Sequence, residues 1–94
     1  MASLDDIACM KLAAIMQRGA RKDFIDLYTL TQGHKPLAVL LDLFQEKYEI
    51  DDVAPVMYSL VFFDDAENEP QPQGWNGNWD ALVQSFKKWV KEIG

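Results

Sequence analysis

One stretch of this chain, Val56 to Phe63, is apolar enough to be a buried β-strand, and no second stretch could pair with it. An unpaired strand in a protein interior leaves its backbone N–H and C=O groups without partners. The same residues place Val56, Leu60 and Phe63 on the core face of a helix, with Pro55 tolerable in its first turn. The missing partner therefore decides the class. Every element of this chain is expected to be helical.

The spacing of apolar residues predicts five helices. Ser3 is a good N-cap, and Asp6 suits the positive end of the helix that follows. Ile7, Met10, Ala14 and Ile15 recur at helical spacing and mark an amphipathic helix over residues 4–18. Gly19-Ala20 closes it, Gly19 being suited to a left-handed C-terminal position. Phe24, Leu27, Tyr28 and Thr31 share one face of a second helix from about residue 21 to 31. Past Gly33-His34, Pro36 sits in the first turn of a third, whose apolar stripe is Leu37, Leu40, Leu41, Phe44 and Tyr48. Asp51 or Asp52 can cap the fourth. Residues 64–78 turn acidic and then rich in Pro, Gln, Gly and Asn, which predicts a long loop. Asn78 can cap a fifth helix whose Leu82, Val83, Phe86, Val90 and Ile93 face inward. The expected architecture is a small all-α bundle of about five helices, a single helical domain over residues 1–94.

With 49% hydrophobic and 26% charged residues, the chain can bury a core and is not disordered. No apolar run is long enough to cross a membrane, and residues 1–6 carry acids where an export signal carries Lys or Arg. The lone Cys9 fits a reducing compartment and reads as a buried structural thiol. A cytoplasmic protein with no membrane partner is expected. The net charge of −6 argues against gripping DNA through the overall field. That charge is uneven. Residues 1–35 set five basic side chains against four acids, residues 36–80 one against ten, and residues 81–94 three against one. The basic side chains Lys11, Arg18, Arg21, Lys22 and Lys35 lie where a phosphate could still be met.

Within that first block, Lys11 and Arg18 are two helical turns apart and share nearly one face. Asp23 and Asp26, three apart, are neighbours on the next helix. The short Gly19-Ala20 turn folds the two faces toward each other, giving three or four cations around two carboxylates. Such cations can hold a triphosphate and offset charge on a transferring phosphoryl group. A carboxylate beside them can orient a lysine or act as a base. The same residues also read as an ion-pair network stapling two helices, with Lys22 and Asp26 as a weak surface pair.

Asp5-Asp6-Ile7-Ala8, Lys11-Leu12-Ala13-Ala14, Arg18 and Arg21-Lys22-Asp23-Phe24-Ile25-Asp26-Leu27-Tyr28 resemble the third motif of the AbiEii/AbiGii-type toxin nucleotidyltransferases. The likeness continues through Lys47-Tyr48, Ser59 to Glu67, Pro70 and Pro72, and ends near Trp79 and the last helix. The resemblance implies the C-terminal helical half of a polymerase β-like nucleotidyltransferase. It implies that Lys11 contacts nucleotide phosphates with Arg18 and Lys22 in support. Asp26 would be the catalytic or lysine-orienting carboxylate, and Asp23 its supporting neighbour. Mg²⁺ and a nucleoside triphosphate are the ligands implied for the complete enzyme, and an RNA acceptor and an antitoxin protein are the partners that its toxin relatives suggest.

The family's metal site needs a Gly-Ser turn followed by an Asp-x-Asp pair on a strand. No glycine here (Gly19, Gly33, Gly74, Gly77, Gly94) precedes a serine, and no Asp-x-Asp occurs. The catalytic sheet domain is expected to be absent and the chain alone inactive, with no metal site or cofactor of its own. A non-catalytic helical interaction module is the alternative. Among lesser features, Asp64 to Glu69 reads as a solvated acidic loop and His34 as a turn residue. Trp75 and Trp79 read as packing back over the bundle, with stacking on a base or docking on a partner domain as other uses.

Overall fold

The computed structural model describes residues 3–93; Met1, Ala2 and Gly94, at the ends of the expected domain, lie outside the described residues. Its elements are α1 (Leu4–Gln17), α2 (Arg21–Gly33), α3 (Leu37–Tyr48), α4 (Ala54–Leu60), the single turn α5 (Asp64–Glu67) and α6 (Trp79–Ile93). Among the described residues there is no strand, so Val56 to Phe63 resolves as helix followed by a turn. α1 packs against α2, α3 and α4; α6 closes over α3 and α4, and α5 sits on α2.

The helix ends follow their local chemistry. The Ser3 hydroxyl accepts from the Asp6 N–H at 3.1 Å, satisfying one of the first-turn donors of α1. Asn78 accepts from the Ala81 N–H at 3.2 Å at the start of α6. The N-cap of α4 is Val53 rather than Asp51 or Asp52, and it has no side-chain cap; Asp52, one residue earlier, accepts from the Ala54 N–H at 3.0 Å. Pro36 lies one residue earlier than expected, at the N-cap of α3 rather than in its first turn. Gly19 has φ +63, the left-handed geometry that lets α1 stop and α2 begin after Ala20.

Several expectations are corrected. Tyr48 and Ile93, expected on the apolar faces of α3 and α6, lie at the ends of those helices and are exposed. The core face of α1 is Ala8, Cys9, Leu12 and Ile15, whereas Met10 is exposed. Helices flank α1 closely enough that small residues such as Ala8 do the packing, and a pattern weighted toward long side chains misplaces its face. The expected 64–78 loop begins with α5, whose Ala66 is fully buried. The Arg21 Nε–H donates to the Ala66 carbonyl at 3.1 Å and holds this turn against α2.

Phe24 lies at the centre, its ring 5.1 Å from Phe63, 6.2 Å from Trp79 and 5.8 Å from Phe86 between centroids. Tyr28 continues the row, stacked on Trp89 at 6.0 Å. Trp75 and Trp79 are half-buried and pack onto this core, as expected. The Arg21 guanidinium covers the Trp79 ring at 4.4 Å.

The C-cap of α3 is Glu49, at φ 53 and ψ 47. A side chain in this left-handed region carries a steric penalty that glycine lacks. Glu49→Gly is expected to raise stability by about 0.5–1 kcal/mol, part of the relief being offset by the looser unfolded chain. Urea unfolding at neutral pH checks it; an unchanged or lower midpoint would refute it.

Candidate nucleotide-phosphate site

The turn at Gly19 brings the third turn of α1 beside the first two turns of α2. Lys11 Nζ lies 2.9 Å from Asp26 Oδ2 and 3.7 Å from Asp23 Oδ1. A guanidinium nitrogen of Arg18, at the C-cap of α1, lies 3.3 Å from Asp23 Oδ2. Asp23 thus bridges both cations. Its side chain is 6% exposed, against 27% for Lys11, 36% for Asp26 and 70% for Arg18. The cluster is a graded site: a buried carboxylate at its floor, an oriented ammonium midway, a guanidinium at its mouth.

The Asp26 hydrogen bond, helped by the charges of Asp26 and Asp23, holds the Lys11 proton more tightly than in an ordinary lysine and overcomes the opposing effect of burial. Lys11 is therefore a fixed cation at neutral pH. In that state it can serve as a point charge and hydrogen-bond donor but not as a base.

Four of the five expected site residues come together: Lys11, Asp26, Asp23 and Arg18. Lys22 does not. It is exposed and makes no ion pair or hydrogen bond among the described residues. At 100° per residue, Asp26 lies between Lys22 and Asp23 around α2, so turning Asp23 toward α1 turns Lys22 outward. Arg21 is likewise drawn off, to Ala66 and Trp79. The result is two cations against two carboxylates rather than an excess of cations.

A second ionic group, which spacing does not disclose, pins the start of α1. Asp5 pairs with His34 Nε2 at 2.6 Å and with Lys35 Nζ at 2.9 Å. Asp6 pairs with Lys47 Nζ at 3.1 Å. His34 is a turn residue, as expected, but one tied to α1. The Asp5-Asp6 pair quoted in the resemblance was the available signal. Hydrogen bonds from His34 and Lys35 hold the Asp5 carboxyl below the usual aspartate range, and those of Lys47 and Ser3 do the same for Asp6. A carboxylate with a depressed folded-state pKa adds stability above the unfolded value and loses it as pH falls through the folded one. The start of α1 is therefore expected to loosen below about pH 4. Amide exchange of residues 7–10 should accelerate there before that of residues 24–27; simultaneous acceleration would refute it.

The cluster does not fit a divalent cation. Both carboxylates already face cations, and no group of three or more His, Cys, Asp or Glu that could hold a metal ion occurs among the described residues. A magnesium ion needs several oxygen donors in near-octahedral array. The donor set here does not supply it.

The fold and the cluster define an all-helical protein whose α1–α2 hairpin carries two cations paired with two carboxylates. The nucleotidyl transferase AbiEii toxin family, of type IV toxin–antitoxin systems, matches residues 1–91, and the chain belongs to that family. It is 42% identical over 88 residues to an uncharacterized protein of Aquifex aeolicus (strain VF5), a match covering 93% of this chain. The chain spans 42% of that relative's length. No solved structure matches. Among the described residues no helix is long and apolar enough to cross a membrane.

Proposed function

We propose that the α1–α2 hairpin supplies the phosphate-contacting half of a nucleotidyltransferase site. Lys11 is the principal phosphate donor, Arg18 a second cation at the mouth, Asp26 the carboxylate that orients Lys11, and Asp23 the buried anchor for both cations. The observation that carries this reading is the position of Lys11 Nζ, hydrogen-bonded to Asp26 while still reachable from solvent. A charged donor held in one place before the ligand arrives favours a developing phosphoryl charge at little reorganisation cost. Lys22 drops to a peripheral contact, reached only by a long ligand or an acceptor strand. Mg²⁺, implied for the complete enzyme, finds no matching donors in the cluster, so its carboxylates would come from a catalytic sheet domain. Family membership in type IV toxin–antitoxin systems puts an antitoxin among the proposed partners; an RNA acceptor is proposed from the motif resemblance alone.

Tripolyphosphate binding by calorimetry tests the site. Lys11→Met is expected to weaken it about tenfold or more, the worth of one charge-assisted hydrogen bond, at a stability cost of roughly 1 kcal/mol. Asp26→Asn is expected to tighten it, since the carboxylate competes with phosphate for the lysine. Equal affinity in all three proteins would leave only the ion-pair staple. With Mg²⁺ and nucleoside triphosphates the chain alone is expected to bind without transferring. Turnover abolished by Asp26→Ala would overturn that.

A further inference from the structure

Arg18 belongs to two features at once. It is ion-paired with Asp23, and it also lines, with Met16, Tyr58, Ser59, Phe62 and Asp65, a cavity of about 210 Å³ between the end of α1 and the segment joining α4 to α5. The ionic cluster and this cavity therefore adjoin through one side chain. Tyr58 and Phe62 stack at 5.9 Å and 24°. Tyr58 is 67% exposed and Phe62 41%, and Met16 beside them is also exposed. Exposed and stacked side by side, the two rings offer a flat face to a planar partner. The Ser59 hydroxyl donates to the Pro55 carbonyl at 3.0 Å, so the charged groups facing the cavity are Arg18 as donor and Asp65 as acceptor.

An aromatic face, a guanidinium and a carboxylate acceptor around one small space are the chemistry that recognises a nucleobase. Aromatic side chains stack on any base, and a carboxylate accepts from an exocyclic amino group. The volume is below the roughly 300–1,000 Å³ of pockets for drug-sized molecules, which suits a ring system rather than a whole nucleotide. The geometry points to this cavity as the base subsite of a nucleoside triphosphate whose phosphates lie on Arg18 and Lys11. Asp65 favours bases bearing an amino group over uracil. This assignment rests on the phosphate reading above and extends it.

The test titrates ATP, CTP, UTP and inorganic tripolyphosphate into the chain and three variants. ATP and CTP are expected to bind more tightly than tripolyphosphate, and UTP less tightly than CTP. The double variant Tyr58→Ala/Phe62→Ala is expected to lose roughly 5- to 150-fold in ATP affinity, the range for one stacked base, with tripolyphosphate unchanged. Tyr58→Phe should retain ATP affinity, and Asp65→Asn should narrow the CTP-to-UTP ratio. Equal binding of all four ligands, or a double variant that loses tripolyphosphate equally, would overturn the base subsite while the phosphate site stands. No binding of any ligand would overturn both.

Discussion

Phe24→Ala is expected to lower the stability of this chain by about 3–5 kcal/mol, the range for deleting a fully buried phenyl ring. Domains of this kind are stable by only about 5–15 kcal/mol, so the variant should melt on the order of 15 °C or more below the parent. The reason lies in what the ring joins. Phe24 on α2 meets Phe63 beside α5, Trp79 at the start of α6 and Phe86 in its middle, and Phe63 and Trp79 touch each other at 6.0 Å. Truncation removes the common partner of three aromatic rings. Tryptophan fluorescence should shift to the red along with the melting point, because Trp79 loses one of its walls. A loss under 1 kcal/mol would mean the neighbouring rings collapse into the space.

The second large effect is electrostatic. Lys11→Glu puts a third carboxylate against Asp23 and Asp26, with Arg18 the nearest remaining cation. Asp23 is buried, so repulsion there is poorly screened. A loss of about 2–3 kcal/mol is expected, clearly more than for Lys11→Met. The pH dependence distinguishes the cause. Like charges held together resist joint ionisation, so protonating one of them relieves the strain. The variant should gain stability relative to the parent as pH falls from 7 toward 5, and the parent declines below about pH 4. Parallel curves for parent and variant would show that the three carboxylates do not meet.

The helical class was legible because it rested on an absence that backbone chemistry makes decisive, the missing partner for Val56 to Phe63. Caps were legible for a similar reason. Ser3 and Asn78 act on backbone groups three residues away, a range that spacing reports directly, whereas α4 begins after Val53 without a side-chain cap. The four-residue heart of the site was legible because two helices joined by a tight turn leave little freedom in which faces meet. Lys22 shows where that ends. Its i,i+4 spacing to Asp26 is correct, but the direction of α1 around α2 is set by packing that the pattern does not specify. The α5 turn was hidden because Asp64-Asp65-Ala66-Glu67 carries one small apolar residue among acids. Its burial depends on Arg21, distant in sequence. The Asp5–His34 and Asp6–Lys47 pairs are long-range in the same sense.

The placement of the site on consecutive helices also has a kinetic consequence. Lys11 reaches Asp23 and Asp26 across one short turn, while Phe24 reaches Phe86 only after most of the chain has been brought back. Local contacts close small loops and lose little chain entropy, whereas distant ones must first overcome it. The ionic hairpin is thus the portion of the molecule that forms at the lowest entropic cost, and the aromatic row is the portion that locks it. A change at the Gly19 turn should act mainly on the folding rate, and one at Phe86 mainly on the unfolding rate. The charges of the hairpin are expected to be arranged before the core that keeps them in place has closed.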